Sequence, residues 1–388
     1  MSRLTVISIT LLLLALAGFL YINWSDAPGA NFAASRTPTL AAGDFSVYFT
    51  ENTFYQSVSD DLGFYILGRR VVRRYDTEGT LLWTRSISHT NPTFVQGGHY
   101  IALSAYRARA YYVFGPEGSL YTLTFDNDIL SYHVACNGYS AVMSMDNSGG
   151  YNIEVFSASG TRVKQRVLNE RNLFPVSMAI SPDARILVVS YLDISGYNIL
   201  SYICAYHIHE RDRAHNDGLF ASFRQIEGEI ISKVRFIDSA HLMFSSDGQF
   251  GVYRLDSDMQ FNYSWSIALE NQAAFVDVIS ETGIAIAFGR PLLGAGGIQE
   301  GTFAIHGLDG TLIATYFMDG GISYLSTGTG AAIIGGGPLR RNFAAINYRG
   351  QVVWEYRATS DVLDFVLLDS YTRALIVTPT RMQIMEVR

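Results

Sequence analysis

Residues 71–87, VVRRYDTEGTLLWTRSI, constrain this chain more than any other stretch, because they read as a strand, a tight turn and a returning strand, and variants of the unit recur along the sequence. Val71, Arg73 and Tyr75 alternate with Val72, Arg74 and Asp76, as side chains on the two faces of a pleated strand must. Asp76-Thr77-Glu78-Gly79 supplies turn chemistry, and residues 80–87 return through β-formers that include Trp83. Seven such hairpins are found, at residues 70–87, 110–125, 151–168, 200–226 with a long insert, 251–269, 302–318 and 342–357. In six of them a glycine marks the turn (Gly79, Gly118, Gly160, Gly218, Gly310 and Gly350), and in the fifth Asp256-Ser257-Asp258 stands in its place.

Two shorter apolar runs precede each hairpin, so the repeating module has four strands, a to d. The fourth module shows it well: residues 176–180, a Ser181-Pro182-Asp183 turn, residues 185–191, then the hairpin. After the seventh hairpin come three further strand-like runs, 362–368, 374–378 and 382–387, with no fourth. Residues 45–50, FSVYFT, lie unused at the other end. Pairing the two ends closes a ring and removes the exposed edges of an open array. The expectation is an all-β, eight-bladed β-propeller over residues 44–388. Eight blades need about 43 residues each, within the range for a four-stranded blade, whereas the seven-bladed alternative needs about 49.

The nonamers Tyr75-Asp76-Thr77-Glu78-Gly79-Thr80-Leu81-Leu82-Trp83 and Ile346-Asn347-Tyr348-Arg349-Gly350-Gln351-Val352-Val353-Trp354 resemble the repeat of quinoprotein-dehydrogenase-like (PQQ-like) propellers, in which a tryptophan packs between blades. Trp265 is a weaker third instance. The resemblance implies fold rather than activity: the quinoprotein enzymes combine a vicinal disulfide with calcium and a catalytic carboxylate, and Cys136 and Cys204 are far apart here. No cofactor is expected. Both cysteines fall in apolar runs and are read as buried free thiols.

At the N-terminus, residues 4–22 form an uncharged apolar run of 19 residues, about 28 Å as a helix and long enough to span a bilayer. Tyr21 and Trp24 sit where an interfacial aromatic belt would, and Arg3 precedes the run, which places residue 1 in the cytoplasm and the bulk of the chain outside it. Ala15-Leu16-Ala17 leaves a cleaved signal peptide as the competing reading. The expected organisation is a stub and single-pass anchor at 1–24, a flexible tether at 25–43 and the propeller at 44–388. That arrangement is similar to an uncharacterised family of membrane-anchored extracytoplasmic propellers, WD-like in their repeats, which implies no activity.

A net charge of −7 argues against a nucleic-acid partner, since such proteins present a basic field. Positive charge is nearly all arginine, with Lys164 and Lys233 the only lysines. Arg69, Arg70, Arg107, Arg109, Arg290, Arg340, Arg341 and Arg381 cluster at or near the b–c connections, which share one end of a propeller. Arg70, Arg109, Arg290, Arg340 and Arg341 are therefore the candidate ligand-binding residues, able to fork carboxylates or phosphates. The alternative is pairing with aspartates of the d–a loops, for which Asp60, Asp61, Asp126, Asp128 and Asp361 are available. His207 and His209, with His215, form a candidate metal set in the insert of blade four, since residues at i and i+2 of a strand share a face. No metalloprotease, nucleophile-elbow or phosphate-loop motif is present. The function expected is a protein- or ligand-binding scaffold with a protein or cell-envelope partner. The rival class is a hydrolase or lyase acting on cell-wall or polysaccharide substrates, which would place at least one carboxylate with a shifted pKa in the central funnel.

Overall fold

The computed structural model describes residues 38–48, 54–89, 91–168, 170, 172–209, 218–269, 273–280, 283–291, 298–328, 330–337, 339–369 and 371–387. Blade one consists of Phe54–Asp60, Gly63–Gly68, Val71–Tyr75 and Leu81–Ser86, hydrogen-bonded antiparallel in that order as strands a to d. The same order repeats through residues 93–124, 128–168, 173–227, 231–268, 273–317 and 322–357. A single bridge, Ile298 to Ile322, joins the sixth and seventh blades into one sheet.

Blade eight takes Asp364–Leu367, Arg373–Val377 and Arg381–Val387 from the C-terminus and, as its outer strand, Leu40–Tyr48 from the N-terminus. Leu40 pairs with Val387 and Val47 with Met382. The closing strand thus starts at Leu40, and residues 40–43, expected in the tether, belong to it. Leu40 is buried in the seam of blades seven and eight, a contact that the small residues Ala41, Ala42 and Gly43 do not advertise. The apolar run at 4–22 and the tether up to residue 37 lie outside the described residues. Among those described, no helix is long and apolar enough to cross a membrane.

Burial explains why the strands read as they do. The second strands, such as Gly63–Gly68 and Ala331–Gly336, are covered along their whole length and are apolar throughout, because a blade lies on each face. The outer strands alternate or stay exposed, as Leu81–Ser86 does. Eight apolar clusters fill the eight seams, one for each neighbouring pair of blades. The seam that completes the circle packs Phe64, Ile66 and Tyr75 of blade one on Val366, Leu375 and Ile384 of blade eight.

The c–d turn is where sequence and packing meet. Asp76 Oδ1 accepts the amides of Glu78 and Thr80, and Asp256 and Asn347 do the same in blades five and seven. Gly310 follows at φ +85, and a Cβ on it would lie 2.7 Å from the ring of Trp265 in the preceding blade. Glycine is therefore required twice over, for its backbone conformation and for the tryptophan beside it. In blade five, where the glycine is missing, Met259 takes the left-handed conformation instead. Trp83, Trp265 and Trp354 each donate the indole N–H to a backbone carbonyl of the next blade, at Pro116, Leu308 and Tyr371 respectively.

Candidate functional site

Each first strand runs alongside the first strand of the neighbouring blade around most of the ring, so these strands line the central channel. The d–a and b–c connections consequently share one face, and the a–b and c–d turns share the other. Arg69, Arg70, Arg107, Arg109, Arg340 and Arg341 all occupy the first face. Arg70, Arg107 and Arg340 adopt positive φ of 59, 60 and 53 at the tips of their turns. Arg290 lies in the strand Gly283–Pro291, and its side chain is outside the described set.

The arginines divide into two groups. Arg109 faces Asp128 at 3.6 Å and Arg341 holds Asp361 at 2.7 Å, both pairs largely exposed and linking a b–c turn to a d–a loop. Arg70 and Arg340 are exposed and carry no ion pair among the described residues. Exposed apolar side chains share the face: Tyr106, Ile194, Tyr197, Phe317, Leu339 and Leu363. A cleft of about 550 Å³, lined by Leu339, Arg341, Arg357 and Thr359, opens at the rim of blade seven. The Nε of Arg341 is buried and has no hydrogen-bond partner among the described residues, while Nη1 donates to the Thr359 carbonyl and Nη2 to Asp361.

A second polar group lies deeper and was not anticipated from the sequence. In Ile231–Phe236, Val234 and Phe236 are buried in the seam with blade four while Lys233 and Arg235 reach towards blade six. Arg235 ion-pairs with Asp277 of blade six, and Lys233 Nζ donates to the Val276 carbonyl at 3.2 Å. These two long side chains bridge the seam between blades five and six. Desolvation alone would raise the Asp277 carboxyl, but Arg235, Lys233 and the Thr327 hydroxyl outweigh it and hold the group below its ordinary range. Desolvation, with Asp277 opposing and Arg235 reinforcing, pulls Lys233 down. In the first strand of blade three, desolvation and the Arg235 charge lower His133 to about 4. Further round, Asp364 Oδ2 accepts from the Ser57 amide and hydroxyl, and Tyr324 Oη lies 2.6 Å from Asp364 Oδ1. First strands have no neighbour along their inner edges, so such side chains supply the cross-links between blades that backbone pairing cannot.

Asp277 stays ionised and His133 stays neutral near pH 7, so neither offers the poised general acid that glycoside hydrolysis needs. The histidines proposed for metal take separate partners: His207 stacks on Phe220 at 4.3 Å, and His209 meets Tyr139 edge-on at 5.7 Å. His215 lies outside the described residues. Two placements differ from expectation. Asp60 and Asp61 sit in the a–b turn of blade one, on the face opposite the arginines, because the first strand ends at Asp60. Cys136 is exposed, since Asp128–Val134 stops short of it and it falls in the following turn; Cys204 is buried as expected, and both are free thiols.

Fold and channel together define an eight-bladed β-propeller with a built-out arginine and aromatic face. Residues 50–387 match a family of unknown function (DUF5711), and the chain belongs to that family. Among solved structures, BamB from Moraxella catarrhalis is similar with a TM-score of 0.54 and 13% identity, over 90% of this chain and 100% of that one. The β-propeller domain of Cps50 (Swd1) from Myceliophteria thermophila is similar with a TM-score of 0.50 and 9% identity, over 90% and 100%. At such identities the likeness is one of fold alone. No curated protein matches in sequence.

Proposed function

We propose that this protein is an extracytoplasmic scaffold, held to the cell membrane by residues 4–22, whose d–a and b–c face docks an acidic, partly apolar segment of a cell-envelope protein. The observation that supports this reading is the joint exposure of Tyr106, Tyr197, Leu339, Arg70 and Arg340 on that single face. Aromatic and arginine side chains dominate the energetic centres of protein interfaces, and lysine is depleted there. Orientation agrees with the tether. The closing strand ascends from Leu40, beside Val387 at the end of a c strand, to Tyr48, beside Arg381 at its start. The described chain therefore enters on the a–b and c–d side, so an anchor at residues 4–22 would leave the proposed docking face on the far side of the ring.

Replacing Tyr106, Tyr197 and Leu339 together with aspartate should abolish a specific crosslink to the partner in intact cells while leaving the thermal melt unchanged. The matching change on the opposite face, Leu62→Asp with Tyr348→Asp, should leave the crosslink in place. Equal loss from both variants, or from neither, would remove the basis for assigning the face.

A further inference from the structure

We propose that Asp60, Asp61 and His99 form a divalent-cation site of the zinc class, stapling blade one to blade two on the tether side of the ring. The three side chains come from two different turns, the a–b turn of blade one and the a–b turn of blade two, and their donor atoms lie within 4.8 Å of one another. His99 Nδ1 stands 3.4 Å from Asp60 Oδ2 and 3.2 Å from Asp61 Oδ1. Bonds of about 2.05 Å from zinc to nitrogen or oxygen give a tetrahedral edge of about 3.3 Å, which these separations match.

The second observation concerns Asp60 itself. Its side chain is only 5% exposed, and Oδ2, directed at His99, is buried without a hydrogen bond. His99 Nδ1 is likewise buried and unpartnered, although the rest of that ring reaches solvent. Two buried polar atoms facing each other across 3.4 Å leave a cost that a shared cation removes. The surroundings are fixed for the purpose. Arg74, fully buried, holds Asp60 Oδ1 at 2.6 Å, and the Leu62 amide donates to the same oxygen at 2.9 Å, so the carboxylate cannot turn Oδ2 away. The Tyr65 hydroxyl donates to the His99 carbonyl at 2.7 Å, and Gln96 Nε2 donates to the Ser59 carbonyl at 2.6 Å, tying the two turns together. Such outer contacts orient ligands in metal sites.

One imidazole and two carboxylates suit zinc better than calcium or magnesium, which demand more oxygens. Three protein donors leave a fourth position open to water or to a donor from elsewhere. The guanidinium of Arg74 opposes a dication, so the affinity should be micromolar rather than nanomolar.

The test titrates Zn²⁺ into the full-length protein in detergent by calorimetry, alongside His99→Gln and Asp61→Asn. Both positions have solvent access and neither touches Arg74, so circular dichroism and urea midpoints without metal should stay unchanged. The expected result is one equivalent bound by the wild type, at least tenfold weaker binding in each variant, and a rise in wild-type melting temperature with Zn²⁺ that the variants lack. Co²⁺ should give a visible absorption band that His99→Gln abolishes. Absence of saturable binding, or binding that both substitutions leave intact, overturns the proposal. So does a loss of stability in the variants without metal, which would make the cluster an ordinary ion pair.

Discussion

Replacing His133 with glutamine tests whether the channel is built as described. Glutamine keeps polarity and approximate size but cannot gain a proton. In the folded ring His133 takes up a proton at about 4, because the imidazolium would be poorly solvated and would face Arg235; in the unfolded chain it does so near 6.5. Between those values the unfolded state binds the proton and the folded state does not, so stability conferred above pH 6.5 drains away as the pH falls towards 4. Integrating the two titrations from pH 7 to pH 4.5 gives a loss of about 2.4 kcal/mol for the wild type relative to the variant, and about 1.2 kcal/mol by pH 5.5. His133 keeps partial contact with channel water, which screens the charge and reduces the first figure to roughly 1–2 kcal/mol. Urea unfolding at pH 7, 5.5 and 4.5, followed by tryptophan fluorescence, measures the difference directly, and titrations common to both proteins cancel. Parallel stability curves for the two proteins would refute the placement of His133 in a desolvated, positively charged part of the channel.

Further outcomes are expected elsewhere in the ring. Deleting residues 382–388 removes the strand that joins Arg373–Val377 to Leu40–Tyr48, so the truncated protein should melt at least 10 °C lower and elute as aggregates in size-exclusion chromatography. Gly310→Ala should destabilise by about 2–3 kcal/mol, whereas Gly149→Ala, at a similar φ with open space around it, should cost only the backbone strain of about 1–2 kcal/mol; equal losses in urea titrations would deny the tryptophan contact its part. If residues 4–22 anchor the chain, the protein should remain in the membrane fraction after a high-salt wash and keep its N-terminal peptide by mass spectrometry, and a soluble form beginning near Gly18 would support cleavage instead.

The hairpins were legible in the sequence because local rules and tertiary packing ask for the same residues. A side chain such as Asp76 that caps its own turn, a glycine in the left-handed conformation and a tryptophan on the returning strand leave a linear trace. Blade eight was legible only by counting, since three strands without a fourth demanded a partner from the opposite end. The start of that partner was not, because Leu40-Ala41-Ala42-Gly43 contains no β-branched residue and is held by pairing with Met385 to Val387. Of the candidate site, the face carrying the arginines followed from strand order. Their division into paired and free did not, because Arg109 and Arg341 find aspartates of other connections. The deeper polar group was present in the alternation of Lys233 and Arg235 with Val234 and Phe236. Polar side chains alternating with buried ones mark a strand edge on water, but that alternation alone does not say which neighbouring blade supplies their partners.

The pairing of Leu40 with Val387 also sets a clock on biosynthesis. A chain emerging from the N-terminus first must hold the outer strand of its last blade in reserve while more than 300 residues follow it. Seven blades can form in order as they appear, but the circle locks only when the final segment arrives. A product stopped anywhere short of that point lacks its latch, leaves Leu40–Tyr48 without a strand to pair with and exposes the apolar face of blade one that blade eight would cover. Completion is thereby written into the fold, and any proteolytic system that attacks unpaired strands will spare the finished ring and clear the unfinished one.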